Sequence, residues 1–166
     1  VNAVAYTAVE KAESEHDKAN RINAEAVAIL ADEAKQLNAC LIHYSTDYVF
    51  DGTKSNAYLE TDETNPQSVY AKTKLQGEEA IKMSECNHLI FRTSWVFATR
   101  GSNFAKTMIR LAKEQEELKI VNDQFGVPTS AELIADITAL CLHQIAQDKN
   151  SIPNVTGTYH LTPTGK

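Results

Sequence analysis

Two short apolar runs limit what this chain can fold into. Ala39-Cys40-Leu41-Ile42-His43-Tyr44-Ser45 and His88-Leu89-Ile90-Phe91-Arg92-Thr93-Ser94-Trp95 are of strand length and nearly continuous in hydrophobic character. A strand with one wet face alternates apolar and polar residues. A run without that alternation suits a parallel sheet covered on both faces. The rest of the chain supplies the cover. Ile22, Ala26, Ile29, Leu30 and Leu37 recur at helical spacing and predict a helix over about 15–37. Ser14 reads as its cap, Glu15 and Asp17 as its acidic first turn, and Asn38 as its end. Asn65-Pro66 should start a second helix reaching about Met83. Phe104, Met108, Leu111 and Ala112 mark a third. Leu133, Ile137, Cys141 and Ile145 mark a fourth, capped by Ser130. Val1 to Ala5 reads as the tail of a buried strand in which Asn2 must find polar partners. Leu118 to Val121 and Gly157 to Leu161 read as short strands, and Ala8 to Glu13 as a short helix or loop. Asp51-Gly52 is a turn signal, followed by a polar loop to Pro66. Strands alternating with long helices predict an α/β fold built on a mostly parallel sheet.

Composition narrows the function classes. The chain has 166 residues, 43% of them hydrophobic and 23% charged, with net charge -6. That fits a globular protein and argues against a nucleic-acid face, which needs clustered Lys and Arg. No run approaches the roughly 18 apolar residues of a membrane span. Cys40, Cys86 and Cys141 are far apart and odd in number, which suggests buried thiols in a reducing, cytoplasmic setting. The chain opens at Val1 in mid-pattern and stops at Gly165-Lys166, so it reads as a piece of a longer protein.

In open parallel sheets, ligands bind outside the carboxyl ends of the strands. Ala5-Tyr6-Thr7, Ser45-Thr46-Asp47 and Thr93-Ser94-Trp95 are polar clusters expected at such ends. Val69-Tyr70-Ala71-Lys72-Thr73-Lys74 follows the second cluster. Residues four apart on a helix share a face, so Tyr70 and Lys74 point into one space. A free phenol has a pKa of about 10. A nearby ammonium favours the phenolate and makes the phenol a better acid. Thr46 could hold the phenol or a substrate oxygen. Such a set can protonate an oxygen while a carbonyl is reduced by hydride from a cofactor. Blander readings stand beside these. Tyr70 and Lys74 could be a surface pair, Trp95 a core residue, Asp47 a turn cap and Tyr44 packing. Glu132 lies where a helix dipole favours any acid. His43 and His160 read as core histidines, and His88 and His143 have no ligand partner at metal spacing.

At Thr46, Tyr70 and Lys74 the chain resembles the extended short-chain dehydrogenase/reductases with their Ser/Thr–Tyr–Lys triad. Ser45-Thr46-Asp47-Tyr48-Val49-Phe50-Asp51-Gly52, Tyr70 to Lys74, Phe91 to Trp95 and Asn122-Asp123-Gln124-Phe125-Gly126 are similar to the dTDP-4-dehydrorhamnose reductase family. The resemblance implies a Rossmann-like three-layer parallel sheet with flanking helices, partial here, and part of a smaller substrate-binding lobe. Residues about 1–117 would form the second half of the Rossmann-like domain. Residues about 118–166 would belong to the sugar-nucleotide lobe, mixed with returning core elements. It implies reduction of the 4-keto group of dTDP-4-dehydro-β-L-rhamnose with NADPH or NADH, in polysaccharide-precursor synthesis. Tyr70 is the implied proton donor, assisted by Lys74 and Thr46. Ala5, Tyr6, Thr7, Tyr44, Tyr70 and Lys74 would face the cofactor. Thr46, Asp47 and Trp95 would bind the dTDP-sugar. Glu132 matches an acid that in some members binds magnesium at a homodimer interface. Ala71 departs from the glycine usual there. The Gly-x-x-Gly-x-x-Gly phosphate loop of the family has no counterpart among the glycines, so the isolated chain is expected to be inactive. Two other readings stay open: another nucleotide-sugar epimerase or dehydratase, and a non-catalytic regulatory subunit like methionine adenosyltransferase β.

Overall fold

A computed structural model describes residues 1–101, 103–148 and 152–164; Gly165-Lys166 lies outside them. The chain forms two compact units, Val1–Arg92 with Asp148–His160, and Thr93–Gln147 with Leu161–Lys166.

The first unit holds a three-stranded sheet in the order β1 (Leu41–Thr46), β2 (His88–Thr93), β5 (Gly157–His160). β2 and β5 run parallel, with Leu89 opposite Gly157 and Arg92 opposite His160. All six residues of β2 are buried, as its unbroken apolar run requires. The α/β class with a parallel sheet and flanking helices is therefore the one the strand runs predict. The expected strand at Val1–Ala5 shrinks to a single parallel bridge, Asn2 to His43. Val1 and Val4 are exposed there, while Asn2 is buried.

The helix expected over 15–37 is present but interrupted. It runs as α2 (His16–Asn20), a π turn (Arg21–Glu25) and α3 (Ala26–Gln36), and Asn38 ends it in the left-handed region at φ 49°. Ser14 does not cap it: its hydroxyl donates to the Lys11 carbonyl of the short α1 (Val9–Ala12). The buried stripe also differs from the predicted one. Ala19, Asn23, Val27, Ala31 and Ala34 face inward, while Ile29, Leu30 and Leu37 are exposed. Small residues win this face because α4 (Val69–Ser84) packs closely against it. At Gly77 of α4, an added Cβ would lie 2.3 Å from the Asn23 carbonyl oxygen. Only glycine allows that approach. Val27, Ala31, Ala34, Leu41, Ile81, Cys86 and Ile90 fill the core between these helices and the sheet.

The helix bearing Tyr70 starts at Ser68 rather than Asn65. The Ser68 hydroxyl accepts from Ala71 N at 3.2 Å, and Glu13 of the chain after α1 accepts from Val69 N at 2.7 Å. Both satisfy donors that the first helical turn leaves unpaired. The 51–65 loop is gathered on Asp51, which accepts from Thr53, Tyr58 and Asn65.

In the second unit, β3 (Val96–Phe97) pairs in parallel with β4 (Thr129–Ser130). The strand expected at Leu118–Val121 does not form; Ile120 and Val121 are exposed there and join no strand. α5 (Phe104–Glu114) buries none of its residues. Ser130 does cap α6 (Ala131–Gln147), accepting from Leu133 N at 3.0 Å. The deepest positions of α6 are Ile134 and Thr138, one residue beyond the predicted Leu133 and Ile137.

Candidate active site

β1 ends in Thr46, and a 3-10 turn (Asp47–Val49) reverses the chain at once. The Thr46 hydroxyl accepts from Tyr48 N at 3.2 Å and donates to Asp47 Oδ1 at 3.1 Å. Asp47 thus orients Thr46 while it turns the chain, and burial raises its carboxyl pKa. Beside this turn α4 delivers Tyr70, whose ring meets Tyr48 edge-on at 6.1 Å between centroids. The Thr46 hydroxyl is near enough to pull the Tyr70 pKa down. The strand-end hydroxyl and the helix phenol, expected to meet from the sequence, both lie at the end of β1.

Lys74, one turn along α4, is 2% exposed. Its Nζ donates to the Tyr44 carbonyl at 2.6 Å and lies 3.4 Å from His43 Nε2. Burial lowers its pKa to about 8, against a smaller upward pull from Glu78. The expected lowering of the Tyr70 pKa by Lys74 is not found. Burial raises the phenol, the Thr46 hydrogen bond pulls it back, and the charge of Asp47 and the neighbouring Tyr48 raise it again. Lys74 turns toward β1 rather than toward the phenol, which is the physical reason.

The cofactor candidates on the amino-terminal segment are anchored differently from one another. Tyr6 is buried, Ala5 half-buried and Thr7 exposed. Tyr6 N donates to Asn23 Oδ1 at 2.8 Å, and Asn23 Nδ2 donates to the Tyr6 carbonyl at 3.1 Å and to Thr73 Oγ1 at 3.2 Å. Asn23 therefore ties the segment to α4 from the π turn. Sequence reasoning missed it. The signals were a polar residue on the small-residue face of a helix and a glycine, Gly77, inside the facing one. Tyr44 is half-buried and stacks on Phe91 at 6.4 Å, so packing is part of its role.

Glu78 and Arg92 form a buried pair behind Lys74. Arg92 Nε and Nη2 donate to the two Glu78 oxygens at 3.0 and 2.7 Å. Lys82 reaches the same carboxylate at 3.5 Å.

Trp95 and Glu132 belong to the second unit. Trp95, two residues past the end of β2, takes φ 42° and is 42% exposed. Gly126 lies against its indole, where an added Cβ would meet ring atoms at 2.6–3.0 Å. Ser94 Oγ donates to the Val127 carbonyl at 2.6 Å, and Thr129 N donates to the Trp95 carbonyl at 3.3 Å. Trp95 is thus a half-exposed ring fixed by the segment that leads into β4, not a core residue. Glu132 is exposed in the first turn of α6. Among the described residues no group of three His, Cys, Asp or Glu could hold a metal, so nothing supports magnesium here. No helix among them is long and apolar enough to cross a membrane.

The family model for the RmlD substrate binding domain matches residues 1–166. The chain belongs to this family. It is 56% identical to the dTDP-4-dehydrorhamnose reductase of Escherichia coli K12 over 165 residues, 99% of this chain and 54% of that protein. Its fold matches the crystal structure of a dTDP-4-dehydrorhamnose reductase from Clostridium acetobutylicum with TM-score 0.86 and 43% identity, covering 99% of this chain and 55% of that one. It also matches the Bacillus anthracis dTDP-4-dehydrorhamnose reductase solved in complex with NADP, with TM-score 0.84 and 39% identity, covering 98% and 55% of the two chains. The chain spans about half the length of the curated relatives it matches.

Proposed function

We propose that this chain carries the proton-donating half of a dTDP-4-dehydrorhamnose reductase site. The observation that carries the proposal is the placement of Tyr70 against the turn that follows Thr46 at the carboxyl end of β1, with Lys74 buried one turn along the same helix. A phenol whose pKa is raised stays protonated at neutral pH, which is the form a donor needs. Tyr70 gives its proton to the 4-keto oxygen as that oxygen gains charge. Thr46 orients the same oxygen by turning its one hydroxyl proton from Asp47 Oδ1 to it. Asp47 stands beside the sugar.

A nicotinamide cofactor, NADPH or NADH, would supply the hydride when bound. The chain's residues fit its ribose end: Lys74 has donors beyond the one given to Tyr44, and Tyr44 and Tyr70 flank it in the fold. Ala5, Tyr6 and Thr7 would continue that wall. They do not fit its pyrophosphate, because no glycine-rich loop occurs in the sequence. The 166-residue chain alone is therefore proposed to be inactive, and activity belongs to the longer protein. Residues about 1–117 would form the second half of a Rossmann-like domain, and about 118–166 part of the sugar-nucleotide lobe mixed with returning core elements such as β5.

The test is NADPH or NADH consumption by full-length protein given a dTDP-4-keto-6-deoxyhexose. Consumption is expected. Its absence with both cofactors would overturn the reading.

A further inference from the structure

We infer that Asn2 and His43 are positioning residues that set the proton state of Lys74, through a chain of hydrogen bonds all running toward its amine. The inference rests on the catalytic reading of Lys74 proposed above. It starts at Val4, whose N–H donates to Asn2 Oδ1 at 3.1 Å. That bond decides which way the Asn2 amide faces, since its nitrogen has nothing to accept with. Asn2 Nδ2 must therefore donate to His43 Nδ1, 3.1 Å away. His43 is fully buried, and burial, then Lys74, lowers its pKa to about 3, so the ring is neutral. A neutral imidazole that accepts at Nδ1 carries its proton at Nε2. Nε2 faces Lys74 Nζ at 3.4 Å. An Nε2–H can bond only to an amine lone pair, and an ammonium has none.

The reverse arrangement is possible but loses a bond. An ammonium at Lys74 could donate to Nε2 if His43 moved its proton to Nδ1. Asn2 would then have to turn its oxygen to Nδ1, leaving its NH2 against the Val4 N–H, donor facing donor. The buried chain therefore disfavours the ammonium, in the same direction as the burial that lowers Lys74 to about 8. The other charges near Lys74 come from its own helix and from β2. Glu78 favours the ammonium, but it is already neutralised by Arg92 and Lys82. From the turn after β1, Asp47 and Tyr48 face Tyr70 rather than Lys74. Asn2 and His43 thus act on catalysis through Lys74 alone. They would hold its midpoint near neutral pH, so that it can change proton state when a cofactor or phenol oxygen arrives.

The experiment uses full-length protein with 15N-labelled histidine and 13C-labelled lysine. Ring nitrogen shifts report the His43 tautomer, and the Lys74 Cε shift against pH reports its midpoint. The wild type should show His43 as the Nε2–H form above about pH 8, where the Lys74 amine is neutral. Asn2→Asp gives an oxygen to both Val4 N–H and Nδ1–H, which reverses the chain. His43 should then switch to the Nδ1–H form, and the Lys74 midpoint should rise by about one unit or more. A wild-type Nδ1–H ring above about pH 8 overturns the inference, and this spectrum decides even if Asn2→Asp fails to fold. A Lys74 midpoint unmoved in a folded Asn2→Asp protein also overturns it. Neither readout uses turnover, so a protein that fails to reduce the sugar would refute the reductase reading while leaving the relay standing.

Discussion

Tyr70 combines two effects that sequence spacing cannot rank. The spacing to Lys74 suggests an acidified phenol, yet burial dominates and raises it. The phenol is then a proton store at neutral pH, and its acidity must come from what binds beside it. Tyr70→Phe in the full-length protein should lower turnover by about 10²-fold or more, the scale of a positioned acid. Steady-state rates with substrate binding measured separately check this; near-normal kcat would remove Tyr70 as the donor. His43 gives a second residue-scale prediction. Its folded pKa, about 3, lies below the ordinary value of about 6.5. Between those two values the unfolded chain binds more protons. Stability from the neutral ring is fully present above about pH 6.5 and is lost as pH falls toward 3. The slope contributed is about 1.4 kcal/mol per pH unit within that window. Urea midpoints against pH should therefore be flatter for His43→Gln than for wild type.

At the scale of elements, the packing of α3 and α4 decides more than hydrophobic periodicity does. The large residues Ile29, Leu30 and Leu37 match a helical stripe but are exposed, while the face packed closely at Gly77 takes Ala, Asn and Val. Helix propensity alone says Gly77→Ala should stabilise α4 by about 1 kcal/mol. The Asn23 carbonyl in its path reverses the sign. The variant should lose about 1–3 kcal/mol, the usual penalty of overpacking. It should also loosen the Asn23 clasp on Tyr6, so cofactor affinity of the full-length protein should fall with it. Thermal unfolding and cofactor titration test the two consequences; a stabilised variant would contradict the clash. The π turn at Arg21–Glu25 belongs to the same contact. It carries Asn23 inward at the level of Thr73, which no 3.6-residue pattern anticipates.

For the whole molecule, the Glu78–Arg92 pair joins α4 to the middle strand of the sheet. Both side chains are buried, and each satisfies the other's charge. Glu78→Gln should cost about 3–5 kcal/mol, because it leaves a buried guanidinium uncompensated. Replacing both residues with methionine should recover most of that loss. Urea unfolding of the single and double variants measures the difference, and additive losses would show that the two do not act as a pair. The strand runs were legible because a parallel strand covered on both faces is apolar on both. The Tyr70–Lys74 face was legible because i,i+4 spacing is local. The caps at Ser130 and Asn38 were equally local. The Leu118–Val121 strand failed because a strand needs a neighbour to pair with, and a short apolar run does not carry one. The Ser14 cap failed because α1 took its hydroxyl first. By itself, then, the sequence determined the α/β class, the helix that holds Tyr70 and Lys74, and the triad types. Only the tertiary structure decided which helix faces are buried, which way Lys74 points and how the phenol titrates. Those depend on distances between segments far apart in the chain, and such distances have no local period.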